Sequence, residues 1–409
     1  MSLRVTINAM GAGGDGVAQL PDGQVFVPFT LPGEIANVAR DKNRASLMAL
    51  LETSEQRVEP SCRHFEDCGG CALQHWEMSA YQAWKRSLVA ASLDGRGLKY
   101  ELAPLVPCAQ QTRRRATFAI RKTEAGLLLG FNRHQSHELI NISECAVTVP
   151  AIISRLDDLR KVAIHLADGA KPFKLTVTDT ESGLDLAASG CPTPDDAARR
   201  ILTPLMMELS FARLSVDGEI ILEPKKPLIT FGKVPVNIPS GSFLQATIEA
   251  EEAMVALVIG HFKKVKKAAD LFCGVGTFAL RMAETMAVHA VENDAPALAA
   301  LDRGIRHVQG LKPVTHERRD LFRRPILYKD LNAYQGIVFD PPRAGAEEQA
   351  MQIAKSSVPK VAAVSCNPVT LARDLAILVK GGYKIDKIIP VDQFLWSSHV
   401  ETVALLSKK

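Results

Sequence analysis

At 409 residues and 47% hydrophobic content the chain is long enough for two or three domains with a core in each, so disorder is not the default. With 49 Lys and Arg against 45 Asp and Glu, the net charge of +4 is too small to bind nucleic acid through overall field, so any such contact needs a local patch. The longest apolar stretch, Ala253 to Ile259, falls far short of the ~20 residues that span a membrane, and Met1-Ser2-Leu3-Arg4 leads into a strand pattern instead of a signal peptide. A soluble, cytoplasmic monomer is expected.

Residues 1 to 55 read as short strands at Arg4 to Ile7, Val17 to Leu20, Val25 to Pro28, Ile35 to Arg40 and Ala45 to Glu52. Glycines 11, 13, 14 and 16, Asp22-Gly23 and Pro32-Gly33 mark the turns between them, and a small β-barrel is the natural closure. From 56 to 235 the pattern is mixed α+β: a cysteine-rich loop, a helix near Ser79 to Leu93, and strands near Thr117 to Arg121 and Leu127 to Phe131. Prolines 224, 227, 235 and 239 suggest an exit linker. From 236 to 409 apolar strands alternate with helices: Ala268 to Phe272, Val288 to Glu292, Gly336 to Asp340, Lys360 to Val364, Lys384 to Pro390 and Val400 to Leu406. That alternation predicts an α/β unit with a Rossmann-like, mainly parallel, doubly wound sheet.

Cys62 and Cys68-Gly-Gly-Cys71, with the more distant Cys145, can supply four thiolates to one site. Zinc and an iron-sulfur cluster both accept four thiolates, a redox Cys-x-x-Cys pair is a third use, and His64 and His75 are substitute ligands. Cys108 and Cys191 have no partner at ligand spacing and are assigned to packing. Arg113-Arg114-Arg115 with Arg121-Lys122 and Phe118 along one strand offers guanidinium and aromatic contacts to RNA, whereas Lys263, Lys264, Lys266 and Lys267 read as a solvated helix end.

Asp270-Leu-Phe-Cys-Gly-Val-Gly276 follows a strand and is expected to open a helix, so that Gly274, Gly276 and Thr277 approach a ligand while free N–H groups face it. Glu292 ends the next strand, where its carboxylate can accept both ribose hydroxyls of a dinucleotide or of S-adenosylmethionine. Cys273 is expected to pack beneath this ligand. Asp340-Pro-Pro-Arg343 fixes a rigid loop where a methyl acceptor must lie. Amino-group methyltransferases resemble this but place an aromatic after the prolines; Arg343 there disfavours methylation of an exocyclic nitrogen.

Cys366, in Val364-Ser-Cys-Asn-Pro368, sits where a strand meets a helix, the position of a nucleophile, and the helix start should lower its pKa from ~8.5. A uracil ring carbon is too weakly nucleophilic to take a methyl group directly. A thiolate added at ring position 6 builds enolate character at position 5, and a base must then remove the position 5 proton. Glu401 is the candidate base, with His399 second.

Together these residues resemble the RNA 5-methyluridine methyltransferase family over nearly the whole chain, and most closely its 23S rRNA branch. Val25-Phe-Val-Pro28 and Leu31-Pro-Gly-Glu34 are similar to the RNA-delivering TRAM domain of that branch. The resemblance implies Cys366 as nucleophile, Glu401 as base, and cofactor contacts from Gln245, Phe272, Glu292, Asp320 and Asp340. It further implies a 4Fe-4S cluster on Cys62, Cys68, Cys71 and Cys145, and 23S rRNA as the RNA partner. The chain departs from the family at Thr247, where an asparagine is usual two places after Gln245, and at Leu395-Trp-Ser-Ser398 before the terminal His-Val-Glu.

Overall fold

The computed structural model describes residues 2–408, which form three sheets and a two-stranded hairpin. In the first sheet the spatial order is Ser2–Thr6, Ile35–Asp41, Arg44–Glu52, Gly23–Val27, Gly16–Leu20, Ala9–Met10. Its two edge strands are consecutive in the chain, separated by Ile7 and Asn8, so the sheet must curl until its edges approach. Val5, Val25, Val27 and Val38 fill the interior.

The second sheet has seven strands between residues 115 and 222, with Phe173–Thr180 at its centre against Arg115–Thr123 and Gly183–Ser189. Helices Leu156–Ala163 and Asp196–Glu208 cover one face through Leu159, Val162, Leu202 and Met206.

The third sheet runs in the order Val314–Arg318, Ala287–Glu292, Lys267–Leu271, Gly336–Phe339, Lys360–Ser365, Glu401–Ser407, Lys384–Val391. The first five strands are parallel and Glu401–Ser407 is antiparallel to both neighbours. The order reverses between Lys267–Leu271 and Gly336–Phe339, and this switch point is where open α/β sheets hold ligands. Buried strands of this kind carry near-continuous apolar sequence, which is why Ala268–Leu271 and Val361–Val364 are legible as strands.

Helix Met78–Asp94, within the span expected for the central region, packs instead on the third sheet. Val89 and Leu93, one turn apart, share a core with Leu271, Ile337 and Ala363. Leu102 and Val106 then bridge to Ile388 and Val391 at that sheet's edge. Among the described residues no helix is long and apolar enough to cross a membrane.

Candidate active site

The glycine loop begins at the carboxyl end of Lys267–Leu271. Phe272, Gly274 and Gly276 all take positive φ, at 62°, 55° and 103°. Glu292 holds the loop: its Oε2 accepts the Gly274 N–H at 3.0 Å, and its Oε1 accepts those of Asn293 and Asp294 at 2.6 and 3.0 Å. The expected helix is a single turn, Ala279–Met282, and its Ala279 N–H is already taken by Asp270 Oδ2 at 2.7 Å. The helix terminus with free N–H groups expected at this turn is therefore not found here. Burial, with Asp340 and Glu292 nearby, pushes the Asp270 carboxyl well above the usual range.

A cavity of about 600 Å³ opens above the switch point. Gln245, Phe272, Gly274, Thr277, Glu292, Asp320 and Asp340 line it together with Cys366 and Glu401. Gly276 does not. A Cβ there would meet Leu280 Cγ at 2.7 Å and Leu301 Cδ1 at 3.0 Å, so glycine is required by packing beneath the loop. Cys273, within the same loop, is 4% exposed and also lines the cavity. Asp320 Oδ1 caps its own turn, accepting the Phe322 N–H at 3.0 Å, and the Phe322 ring meets Phe272 at 5.4 Å.

Strand direction brings the two reactive candidates together. Parallel strands end at the cavity, so Cys366 follows the last residue of Lys360–Ser365; an antiparallel strand starts there, so Glu401 is the first residue of its own. Ser365 pairs with Thr402, one residue from each. Asn367 caps helix Pro368–Lys380 by accepting the Val369 N–H at 3.1 Å, and its amide donates to Arg343 O at 3.0 Å. This ties the Cys366 turn to the Asp340-Pro-Pro-Arg343 loop.

The electrostatics reverse one expectation. Burial first, then the Glu401 and Asp340 carboxylates, push the Cys366 thiol up to about 11, against a smaller opposing effect of Arg343. The helix beyond Pro368 does not overcome this. Burial likewise raises Asp340 to about 7, and burial with Asp340 raises Glu401 to about 8. His399 lies at the surface with its Nδ1 3.1 Å from Arg343 Nη2; it lines a different cavity, which favours Glu401 over it as base.

Residues 232–409 match the family model described as tRNA (Uracil-5-)-methyltransferase. A Brucella suis protein named as an RNA methyltransferase is 70% identical over 405 residues, covering 99% of this chain and 98% of that one. A Shewanella woodyi 23S rRNA (uracil(1939)-C(5))-methyltransferase is 31% identical over 427 residues, covering 99% of this chain and 95% of its own. The chain belongs to the RNA uracil-5 methyltransferase family. It is an S-adenosylmethionine-dependent enzyme, which decides between the dinucleotide and the S-adenosylmethionine that the glycine loop and Glu292 left open. The fold agrees: a Pyrococcus abyssi tRNA (uracil-54, C5)-methyltransferase, solved with S-adenosyl-L-homocysteine, superposes with a TM-score of 0.77 at 22% identity, covering 98% of this chain and 99% of that one.

Several residues that support this cavity carry no local sequence signal. Gln393 bridges Gln245 and Glu401. The segment it belongs to is pinned by a buried ion pair, Lys85 Nζ to Asp392 Oδ1 at 2.7 Å, with Tyr81 Oη donating to Asp392 Oδ2 at 2.8 Å. Burial draws the Lys85 ammonium below its ordinary pKa, with Asp392 opposing. Thr247, in place of the usual asparagine, caps helix Ile248–His261 through the Ala250 N–H at 3.2 Å.

The expected basic patch is corrected at Arg114 and Phe118. Arg114 is buried, paired with Glu251, and donates to Gln245 O at 3.1 Å, so it anchors the Gln245 segment instead of meeting RNA. Phe118 is wholly buried in the central core. Arg113 and Arg115 line a second cavity of about 360 Å³, while Arg121 and Lys122 remain exposed.

That second cavity is walled by Cys62, Cys68, Cys71 and Cys145. Burial, then the other thiols, push Cys68 up to about 11 and Cys71 up to about 12, each against a single opposing hydrogen bond. Among the described residues no three His, Cys, Asp or Glu side chains converge closely enough to hold a metal ion, so the expected four-thiolate site is not closed up. His64 lines the cavity but is engaged with Ser143, and His75 is buried against Phe65, away from it. Cys191 belongs to the central core and Cys108 packs, partly buried, against the cluster that holds Trp76, Tyr81 and Trp84, both as expected of packing residues.

Proposed function

We propose that this methyltransferase transfers a methyl group from S-adenosylmethionine to C5 of one uridine in 23S rRNA through a covalent Cys366 adduct, with Glu401 as the base. The observation that carries this reading is the placement of a thiol and a buried carboxyl on the same wall of the cavity that holds the glycine loop, made possible by the antiparallel last strand. Cys366 Sγ adds to C6 of the uracil, sending the C5=C6 electron pair toward O4. C5 then attacks the methyl carbon, and the donor's sulfonium leaves as a neutral thioether. Glu401 takes the C5 proton, that C–H electron pair rebuilds C5=C6, and Sγ departs as thiolate. A base raised to about 8 is matched to work near neutral pH. Gln245, Phe272, Gly274, Thr277, Glu292, Asp320 and Asp340 surround the donor; Gly276 supports the loop from below.

The 23S assignment rests on 31% identity with the Shewanella woodyi enzyme and on the curled sheet of residues 2–52, which we read as a TRAM-like domain delivering RNA. Incubation with isotope-labelled S-adenosylmethionine and RNA lacking 5-methyluridine, followed by separation of ribosomal from transfer RNA, tests it. Labelled 5-methyluridine in large ribosomal RNA supports the reading. Label confined to transfer RNA keeps the chemistry and overturns the substrate.

Cys62, Cys68, Cys71 and Cys145 would hold a 4Fe-4S cluster. Four soft sulfurs lining one cavity supply the donor set of such a group once the loop draws them together, and Cys68 and Cys71, raised by burial, become thiolates only against a compensating cation. When bound, the cluster would cross-link the 62–71 loop to Cys145; no step of methyl transfer passes through it. Anaerobically purified protein with about four irons and four sulfides per chain supports this; stoichiometric zinc and no sulfide overturns it.

A further inference from the structure

We infer that Gln393 is a positioning residue for Glu401, holding its carboxylate as a hydrogen-bond acceptor through a chain of side-chain amides whose direction is set by one backbone N–H. The inference rests on the reading of Glu401 as the base and deepens it. Gln393 is 1% exposed, its Oε1 has a donor and both of its side-chain N–H groups are used. Its Oε1 accepts the Ala246 N–H at 2.7 Å. A backbone N–H can only donate, so the amide cannot be turned round, and its NH2 must face the other two partners. Those are Gln245 Oε1 at 2.8 Å and Glu401 Oε2 at 2.7 Å. Gln245 is thereby oriented the same way, and its own NH2 donates to Asp340 Oδ2 at 2.8 Å.

The polarity of the whole chain follows. Glu401 and Asp340 each meet a side-chain amide donor, so Gln393 stabilises the ionised form of Glu401 and cannot take a proton from it. With Oε2 held, Glu401 Oε1 is the buried oxygen without a partner, and it is the atom left to receive the C5 proton. The segment bearing Gln393 is fixed from behind by the Lys85–Asp392 pair one residue away. Burial and Asp340 favour the neutral acid at Glu401, and the Gln393 hydrogen bond opposes them.

Gln393→Met, in the full-length protein, keeps the length and removes both N–H donors. Loss of a donor to a carboxylate raises its pKa, and the base works only when ionised. The acid limb of the pH–rate profile for adduct breakdown should therefore move alkaline by about one to two units. The rate near pH 7 should fall roughly tenfold to a hundredfold and be largely regained at higher pH. The methylated Cys366 adduct should accumulate at the acid end. Gln393→Glu, which can still accept from Ala246 but when ionised offers no donor, should shift the limb the same way and serves if the methionine variant folds poorly. A uniform loss of rate with an unmoved limb would assign Gln393 a purely structural part and overturn the inference. Glu401→Gln keeps the two readings apart: normal turnover in that variant sinks the base assignment itself, whereas a trapped adduct there with no limb shift at Gln393 sinks only this inference.

Discussion

Removing Lys85 should unseat the segment that carries the base. Its ammonium and the Asp392 carboxylate are 0% and 1% exposed, and the ammonium also donates to Phe394 O at 2.9 Å. Lys85→Met leaves a buried carboxylate with two remaining donors, Tyr81 Oη at 2.8 Å and Phe394 N–H at 2.9 Å. Breaking a buried pair by deleting one partner costs about 3–5 kcal/mol, and the surviving donors place this case near the lower end. A unit of 150–250 residues loses about 2–4 °C of melting temperature per kcal/mol, which gives roughly 6–12 °C. Scanning calorimetry of Lys85→Met, Asp392→Leu and the double variant is the assay. The double variant should recover most of the loss, because two apolar side chains can replace a buried ion pair at little cost. A single variant melting within 2 °C or so of the parent, or a double variant showing the sum of both losses, would refute the reasoning.

Three further outcomes are expected. Gly276→Ala forces a Cβ to within 2.7 Å of Leu280 Cγ at a φ of 103°, and should cost about 1–3 kcal/mol and weaken S-adenosylmethionine binding by calorimetry; an unchanged melt contradicts the packing role. Alkylation of Cys366 in the free enzyme, followed by peptide mass spectrometry, should keep accelerating well beyond pH 9. In Glu401→Gln it should level off at lower pH, since a repelling carboxylate is gone, and superimposable curves would rule out that repulsion. Glu401 is raised in the fold from 4.5 to about 8, so its contribution to stability is full below 4.5 and is lost as pH rises through 8. Glu401→Gln should therefore gain stability relative to the parent between pH 5 and 8 in denaturant titrations, and a constant difference across that range would contradict the shift.

The parallel strands of the third sheet are legible because burial on both faces demands apolar runs. Val314–Arg318 is not: Val-Thr-His-Glu-Arg at the sheet edge is half-exposed and has no such run. Cys366, Glu401 and the glycine loop each sit in compact motifs whose residue types announce their chemistry. The supports do not, because their partners are remote: Lys85 meets Asp392 307 positions later, and Arg114 meets Glu251 137 positions later. An arginine triplet reads the same whether it faces RNA or a buried carboxylate. Nor does a motif reveal its local field. Cys366 lies at a helix start as expected, yet burial first, and then the neighbouring Glu401 and Asp340 carboxylates, outweigh that start and raise the thiol.

The most direct test of the proposed chemistry is the fate of RNA on Glu401→Gln. With labelled S-adenosylmethionine and unmodified 23S rRNA, this variant should yield a denaturation-resistant protein–RNA adduct carrying the labelled methyl group, mapped by mass spectrometry to the peptide containing Cys366. Release of 5-methyluridine RNA at the parent rate with no adduct, or an adduct mapped to another cysteine, would contradict it.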